Sequence, residues 1–188
     1  MIAKQRPGGR TARTKSSVFE AVTALLTERC YGALNMTEIA ERAGVAATSL
    51  YRRWGDVRVL ILEVAVERLM QERPLPDTGS LAQDLQDWAR SIAVSLASPE
   101  GSAFFQAFIA AALPTGSDVA ARLDALKPRI AQIEAMLDRA AARGEAAPSV
   151  DDVVDMLLAP LYTRTLFGMP TDESVADRLV ERLLGGGR

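Results

Sequence analysis

Residues 36–55 read MTEIAERAGVAATSLYRRWG, and this stretch decides the fold that we predict for the N-terminal part of the chain. Asn35 precedes it, and Glu38 follows Asn35 at the spacing of a capping box, which opens a helix. Gly44 is suited to the tight turn that ends this helix. A further helix is predicted to follow the turn and to end at Trp54. Two short helices joined by a glycine turn form a helix-turn-helix.

The helix after the turn has two distinct faces when its residues are placed about 100° apart around the helix axis. Leu50, Trp54 and Ala47 share one arc with Tyr51, and we expect this arc, including most of the Tyr51 ring, to pack against the core. The opposite arc holds Thr48, Ser49, Arg52 and Arg53. Arginine can bind guanine through two hydrogen bonds, and serine or threonine can reach bases or phosphates. The polar arc favours a DNA-reading surface, with an ordinary helical corner as the alternative.

Charge is unevenly distributed along the 188 residues, although the formal net charge is only −2. Residues 1–58 hold ten Lys/Arg against five Asp/Glu, a net charge of +5. Residues 59–188 hold twelve Lys/Arg against nineteen Asp/Glu, a net charge of −7. A basic segment joined to an acidic remainder is typical of a nucleic-acid-binding head on a body that does not bind DNA. The alternative is that the basic segment is merely well solvated.

The chain contains no histidine, which excludes Ser-His-Asp and Cys-His nucleophile systems and histidine metal sites. The acidic residues are scattered, so we expect no catalytic residues, no bound metal and no cofactor. A cofactor-free helical enzyme that uses carboxylates is the weakest alternative. Cys30 is the only cysteine and cannot form an internal disulfide, which is typical of the cytoplasm. We predict no export signal and no membrane span, because charges interrupt every apolar stretch before about 18 residues.

Helical periodicity runs through the whole chain and no segment alternates as a strand does, so the predicted fold is all-α. We predict a flexible basic arm at 1–12, a three-helix DNA-binding head at 13–56 and a helical ligand-binding and dimerisation domain at 57–188. Helices are expected at about 13–29, 36–43, 47–54, 57–73, 81–97, 101–113, 117–143, 149–167 and 172–184. Pro128 and Pro160 lie inside two of these helices and are expected to kink or interrupt them.

Large apolar side chains of the helical body are candidates for the wall of a cavity that binds a small hydrophobic or aromatic effector. They are Leu62, Val66, Met70, Trp88, Phe104, Phe105, Phe108 and Met136. The alternative is that these side chains are simply core.

Apolar stripes on the last two predicted helices are candidates for a surface that binds a second copy of the chain. Their residues are Val154, Leu157, Leu158, Leu161, Val175, Leu179, Val180 and Leu183. The alternative is that the stripes cover the core of their own subunit.

The stretch MTEIAERAGVAATSLYRRWGDVRVLILEVAVERL, residues 36–69, resembles the N-terminal domain of TetR-family transcriptional regulators. The shared pattern is Ile-Ala, Ala-Gly-Val, Leu-Tyr, an aromatic residue three positions after that tyrosine, and a fourth helix with an early leucine. The resemblance covers about residues 13–70. MLLAPLYTRTLFG, residues 156–168, is similar to the penultimate helix of some members. The resemblance implies a dimeric repressor whose third helices enter successive major grooves and whose last two helices form a four-helix bundle with those of the partner.

The resemblance also implies roles for individual residues in binding DNA. It makes Thr48, Ser49, Tyr51 and Arg52 the principal contacts, places Thr37 where the second helix touches DNA, and has Asn35 cap that helix. Family members usually carry Ser or Thr where this chain has Ala46. They often carry Lys where it has Val57, so Arg58 is expected to replace that phosphate contact. The candidate DNA-binding residues are Asn35, Thr37, Thr48, Ser49, Tyr51, Arg52, Arg53 and Arg58.

The predicted function is therefore a sequence-specific transcriptional regulator in the cytoplasm. We expect a homodimeric repressor that binds a near-palindromic operator in double-stranded DNA and is released by an unknown small-molecule effector. Its two recognition helices are expected to lie about 34–36 Å apart. The alternative is an all-helical ligand-binding or adaptor protein whose basic corner does not read DNA.

Overall fold

A computed structural model describes residues 9–28, 34–112 and 119–185, which are helical with short connections. The helices are α1 (Gly9–Glu28), α2 (Met36–Ala43), α3 (Ala47–Trp54), α4 (Val57–Glu72), α5 (Leu81–Ala97), α6 (Pro99–Ala112), α7 (Val119–Ala142), α8 (150–166) and α9 (Glu173–Gly185). No strand occurs within the described ranges, and the all-α prediction is confirmed. The bounds of α2, α3 and α5 are those predicted from the sequence.

Helix α1 begins earlier than predicted. The arm expected at residues 1–12 is helical from Gly9 onward, so the prediction of a flexible segment is wrong for residues 9–12. No helix breaker occurs between Arg10 and Ala12, and each residue added to an existing helix gains a backbone hydrogen bond. Residues 1–8 and Cys30 lie outside the described residues.

The N-terminal core is built by α1, α2, α3 and the first half of α4. Its fully buried side chains are Val18, Val22, Ile39, Leu50 and Leu60. Val59 and Val64 of α4 and Ala107 of α6 belong to the same cluster. Since α4 also packs along α6 and α7, it is shared between the head and the rest of the chain. The domain boundary predicted at residue 56 places all of α4 in the body. In the structure, the first half of α4 belongs to the N-terminal core.

A second core lies among helices α5 to α9. Its fully buried side chains include Leu85, Met136, Leu157 and Leu161. Helix α5 packs along α9, and the guanidinium of Arg90 donates to both oxygens of Asp177 at 2.7 and 2.8 Å across that contact. This hydrogen bonding holds the pKa of Asp177 below its ordinary value. The apolar stripes of α5 and α9 are therefore covered within one chain.

The two prolines inside helices are accommodated differently. Helix α7 continues through Pro128 without interruption. Helix α8 contains a π-helical turn, Val154–Leu158, directly before Pro160, and Ala159 N donates to Val154 O five residues earlier. A wide turn of this kind relieves the clash that a proline ring makes with the preceding turn. The predicted disturbance at Pro160 therefore takes the form of a π turn.

Candidate functional site

The helix-turn-helix is held by local hydrogen bonds that its sequence specifies. Asn35 Oδ1 accepts from Glu38 N at 3.0 Å, and Asn35 Nδ2 donates to Glu38 Oε2 at 3.1 Å. Gly44 adopts a φ of +66°, and the next residue's amide, Val45 N, donates to Ala40 O at 3.0 Å. A left-handed conformation is readily accessible to glycine. The predicted cap and turn are therefore both present, and together they set the start of α3.

Helix α3 is positioned by its buried side chains rather than by a cap. Ala46, the N-cap, makes no side-chain hydrogen bond to the helix. Leu50 is fully buried and Trp54 is 6% exposed in the head core. Trp54 Nε1 also donates to Glu63 Oε2 on α4 at 2.6 Å. Because an isolated helix of this length is unstable in water, these tertiary contacts determine where its outer face lies.

The outer face of α3 is polar and accessible. Thr48 and Arg52 are exposed, and Ser49 is half-buried. Tyr51 is 52% exposed, so the expectation that most of its ring lies in the core is wrong. Tyr51 follows Leu50 by about 100° around the helix, which places it at the edge of the buried arc. About half of the Tyr51 side chain is therefore available for contact beside Arg52.

The remaining predicted DNA-binding residues surround this face. Arg53 lies over the Trp54 ring, with Cζ 4.8 Å from the ring centroid. Arg58 is half-buried, and its Nε lies 4.0 Å from Asp56 Oδ1. Asn35 and Thr37 are exposed at the start of α2. All the candidate DNA-binding side chains are exposed or half-buried, as a contact with DNA requires.

A half-buried polar cluster connects the head to α4, and sequence reasoning missed it. Lys15 Nζ on α1 lies 3.1 Å from Glu63 Oε1 and 2.6 Å from Glu67 Oε2. Burial alone would lower the pKa of Lys15, but hydrogen bonds to Glu67 and Glu63 outweigh it and raise that pKa. Glu63 also accepts from Trp54, so one carboxylate ties α1 and α3 to α4. The four-residue spacing of the two glutamates, one helical turn, was the available signal.

An apolar cavity of about 140 Å³ lies among α4, α5, α6, α7 and α8. Five of the predicted wall residues line it, namely Val66, Trp88, Phe104, Phe105 and Phe108. Phe105 stacks on Tyr162 of α8 with ring centroids 4.8 Å apart. The cavity thus brings together aromatic residues that lie far apart along the chain.

Three predicted wall residues lie elsewhere. Leu62 and Met136 are fully buried outside the cavity lining, where they fill core space. Met70 lines a separate groove between α4 and α7, because it follows the cavity-lining Leu69 by about 100° around the helix. Leu62 and Met136 therefore fit the core alternative, and Met70 lies on a different surface.

Polar residues that sequence reasoning missed also line the cavity. Arg73, Arg129 and Tyr162 are among its walls. Arg129 Nη1 donates to Arg73 O at 3.1 Å and to Gln132 Oε1 at 2.7 Å. Burial lowers the pKa of Arg129 and raises that of Tyr162 from their ordinary values. The signal for Arg129 was its position one helical turn before the buried Ile133.

Most residues predicted to bind a second copy are buried in this chain's own core. The buried ones are Leu157, Leu161, Val175, Leu179, Val180 and Leu183. Val154 and Leu158 are half-buried, and Leu158 lines the cavity. Burial favours the core alternative for the six buried residues, because α8 and α9 use their apolar stripes to pack on each other and on α5. Exposed apolar side chains occur instead at Leu166, Phe167 and Met169, which are 51%, 77% and 47% exposed.

Within the described ranges, the His, Cys, Asp and Glu side chains form no group of three or more that could hold a metal ion. In the same part of the chain, no helix combines the length and the hydrophobicity that crossing a membrane requires.

Two protein-family models match the chain. The family described as "Tetracyclin repressor-like, C-terminal domain" matches residues 75–183, and "Bacterial regulatory proteins, tetR family" matches residues 18–64. The "HTH-type transcriptional regulator AqdR" of Rhodococcus erythropolis is 31% identical, over 97% of this chain and 89% of its own length. The "Uncharacterized HTH-type transcriptional regulator YdeS" of Bacillus subtilis is 28% identical, over 97% and 92%. The matched proteins are transcriptional regulators rather than enzymes.

A solved structure of a "TetR family transcription regulator" shows the same fold. It superimposes with a TM-score of 0.74 at 26% identity, covering 94% of this chain and 99% of its own. A TetR transcriptional regulator from Rhodococcus sp. RHA1 superimposes with a TM-score of 0.70 at 24% identity, over 96% of this chain and 100% of its own. The arrangement of head and body is therefore shared over nearly the whole chain.

Proposed function

The chain belongs to the TetR family of bacterial regulatory proteins and is a DNA-binding transcriptional regulator, and from this we propose that α3 reads an operator through Thr48, Tyr51 and Arg52. The observation that carries the proposal is the outer face of α3. Its hydroxyl and guanidinium groups are accessible, and no carboxylate pairs with Arg52 among the described residues. An unpaired guanidinium can form two hydrogen bonds with guanine in the major groove.

Regulators of this family act as dimers, and we propose a homodimeric repressor on a near-palindromic operator. Two copies related by a twofold axis would present their α3 helices about 34–36 Å apart, one turn of B-DNA. Such a repressor acts where the bacterial chromosome lies, so we propose a cytoplasmic location. Ser49, Arg53 and Arg58, with Thr37 and Asn35 on α2, are proposed to contact the flanking phosphates.

Effector control is proposed to run through α4. The end of this helix contributes Val66, Leu69 and Arg73 to the cavity, and its first half holds Trp54 of α3 through Glu63. A ligand that repacks the cavity would tilt α4 and with it the recognition helix. The ligand then favours dimers whose α3 spacing does not match DNA. The coupling is reciprocal, so operator DNA should weaken ligand binding by the same factor.

Binding to the DNA upstream of the protein's own gene tests this function. Specific retardation in a gel, with an affinity that falls steeply as salt rises, is the expected result. Selection from a random-sequence pool extends the test to operators located elsewhere. A chain that selects no sequence from the pool and binds the upstream DNA no better than random DNA would be an adaptor or ligand-binding protein.

Arg52→Ala is expected to cost about 1–3 kcal/mol of specific DNA binding and to relax the preference for one base, if Arg52 reads a guanine. Fluorescence polarisation with operator and random DNA measures both effects. Lys127→Ala is the matched control, since Lys127 is 75% exposed on α7 and its loss removes the same charge. An equal loss of affinity for operator and random DNA would make Arg52 a phosphate contact.

Phe167→Asp is expected to weaken the homodimer without unfolding it. Phe167 is 77% exposed beside two other exposed apolar side chains at the end of α8, and a carboxylate there would be buried unpaired between two copies. We expect the dimer dissociation constant to rise by roughly a hundredfold, measured by sedimentation equilibrium. Val94→Asp, at an apolar α5 position that is 58% exposed, is the control. An unchanged dimer would place the interface on another face.

A further inference from the structure

The cavity carries a charge asymmetry that a purely hydrophobic effector does not explain. Arg73 and Arg129 both line it, while no Asp or Glu among the described side chains does. Among the described residues no carboxylate is paired with either guanidinium. Glu72 lies beside an adjoining recess, but both its oxygens accept from Arg68 Nε at 2.9 Å. Cations in apolar surroundings are costly unless an anion compensates them, so the cavity is built to receive negative charge.

Arg129 is held in place with half of its guanidinium unused. Its Nη1 donates to Arg73 O and to Gln132 Oε1, which fixes the group at the cavity wall. Within the part of the chain that the structure describes, Nε and Nη2 have no protein acceptor. The N–H groups of Nε and Nη2 form the fork that binds the two oxygens of a carboxylate. Since the guanidinium stays protonated in proteins, this fork is charged at neutral pH.

Two further donors lie around the same space. Trp88 is 2% exposed, and its ring centroid lies 5.4 Å from Arg129 Cζ. Its Nε1 has no hydrogen-bond partner among the described residues. Burial raises the pKa of Tyr162, so its hydroxyl keeps its proton and can donate. A buried donor without an acceptor costs about 1–3 kcal/mol. A ligand that brings acceptor oxygens would relieve this cost, whereas a ligand that brings only donors would not.

We infer that the cavity binds a small anionic amphiphile, with a carboxylate-type group on the Arg129 fork and a ring or short chain among Phe104, Phe105 and Phe108. Its volume of about 140 Å³ is close to that of an engineered cavity that holds benzene, so the apolar part is no larger than a ring or a comparable chain. The role of this ligand as effector rests on the proposed function; its binding does not.

Calorimetric titration of the full chain with matched compounds tests the charge preference. Phenylacetate, 2-phenylethanol and 2-phenylethylamine share one apolar frame and differ in their polar group. Hexanoate and hexan-1-ol form the aliphatic pair. We expect at least one acid to bind about tenfold or more tightly than its alcohol, since hydrogen bonds to charged groups are the stronger ones. The amine should bind most weakly. The acid that binds more tightly shows whether the apolar part of the ligand is a ring or a chain.

Variants of α7 separate a binding role from a structural one. Arg129→Met should abolish the preference for the acid, while Lys127→Met, two residues away and exposed to solvent, should leave it unchanged. Arg129→Met should also unfold at an equal or higher temperature, because it replaces a desolvated cation with an apolar side chain. Arg129→Lys keeps the charge without the fork and should retain only part of the preference.

Equal affinity for acid and alcohol would overturn the inference, as would an acid preference that survives in folded Arg129→Met protein or that is undiminished in folded Arg129→Lys protein. Failure of both acids to bind at millimolar concentration would overturn it as well. Gel retardation with the selected operator on the same preparation keeps the two proposals distinct. Acid binding by a chain that selects no operator would support the ligand assignment and remove the repressor function. Operator binding without acid binding would support the repressor function and overturn the ligand assignment.

Discussion

Replacing Leu179 and Leu183 together with Asp is expected to unfold the chain rather than to separate two folded copies. Both leucines are buried, with 7% and 6% exposure, where α9 packs along α5. A carboxylate without a partner in such surroundings costs several kcal/mol. The cost of burying two such carboxylates is expected to exceed most of the free energy of unfolding of a folded domain, which is roughly 5–15 kcal/mol. Circular dichroism should show loss of the cooperative thermal transition.

The matched control uses neighbouring positions on the same helix. Arg178 and Arg182 each precede one of the leucines and are exposed, so Arg178→Asp with Arg182→Asp should leave the helical signal and the transition in place. If the variant with both leucines replaced is a folded monomer while the arginine variant is still dimeric, the apolar stripe of α9 belongs to the dimer interface.

Gly101→Ala is expected to destabilise the chain by about 1–3 kcal/mol, as overpacking does. A Cβ added at Gly101 would lie 2.0 Å from the backbone oxygen of Ser95 and 2.7 Å from its carbonyl carbon. Backbone atoms cannot rotate away as a side chain can, so the start of α6 must move from the end of α5. Denaturant unfolding measures the loss. Gly101 also lines the cavity, so binding of phenylacetate or hexanoate should weaken in parallel.

Gly185→Ala is the control for the change of residue type. Gly185 also lies in a helix, and a Cβ there would meet no atom within 4 Å. Alanine has a higher helix propensity than glycine by about 1 kcal/mol, so this variant should be as stable as the parent or slightly more stable. A Gly101→Ala protein with an unchanged unfolding midpoint would show that the α5–α6 corner shifts freely.

The two candidate sites differ in how far they could be predicted. Trp88, Phe104 and Phe105 were expected at a cavity because large aromatic residues on apolar helices were the visible pattern. The arginines were not, because a charged residue in a sequence is ordinarily taken as exposed. Only packing shows that Arg129 lies beside Trp88 and that no carboxylate of the described residues pairs with it, and this fact changes the expected ligand from hydrophobic to anionic.

The sequence by itself determined the helix-turn-helix. The Asn35 cap and the Gly44 turn each act through a contact one or two helical turns away. The four-residue spacing of Leu50 and Trp54 marks the face of α3 that is buried. Tertiary structure alone decided that Tyr51 is exposed, that the apolar stripe of α9 is core, and that two arginines share one cavity. These outcomes depend on which helices pack together. Such packing joins residues distant in sequence, and the periodicity of one helix does not specify its partner.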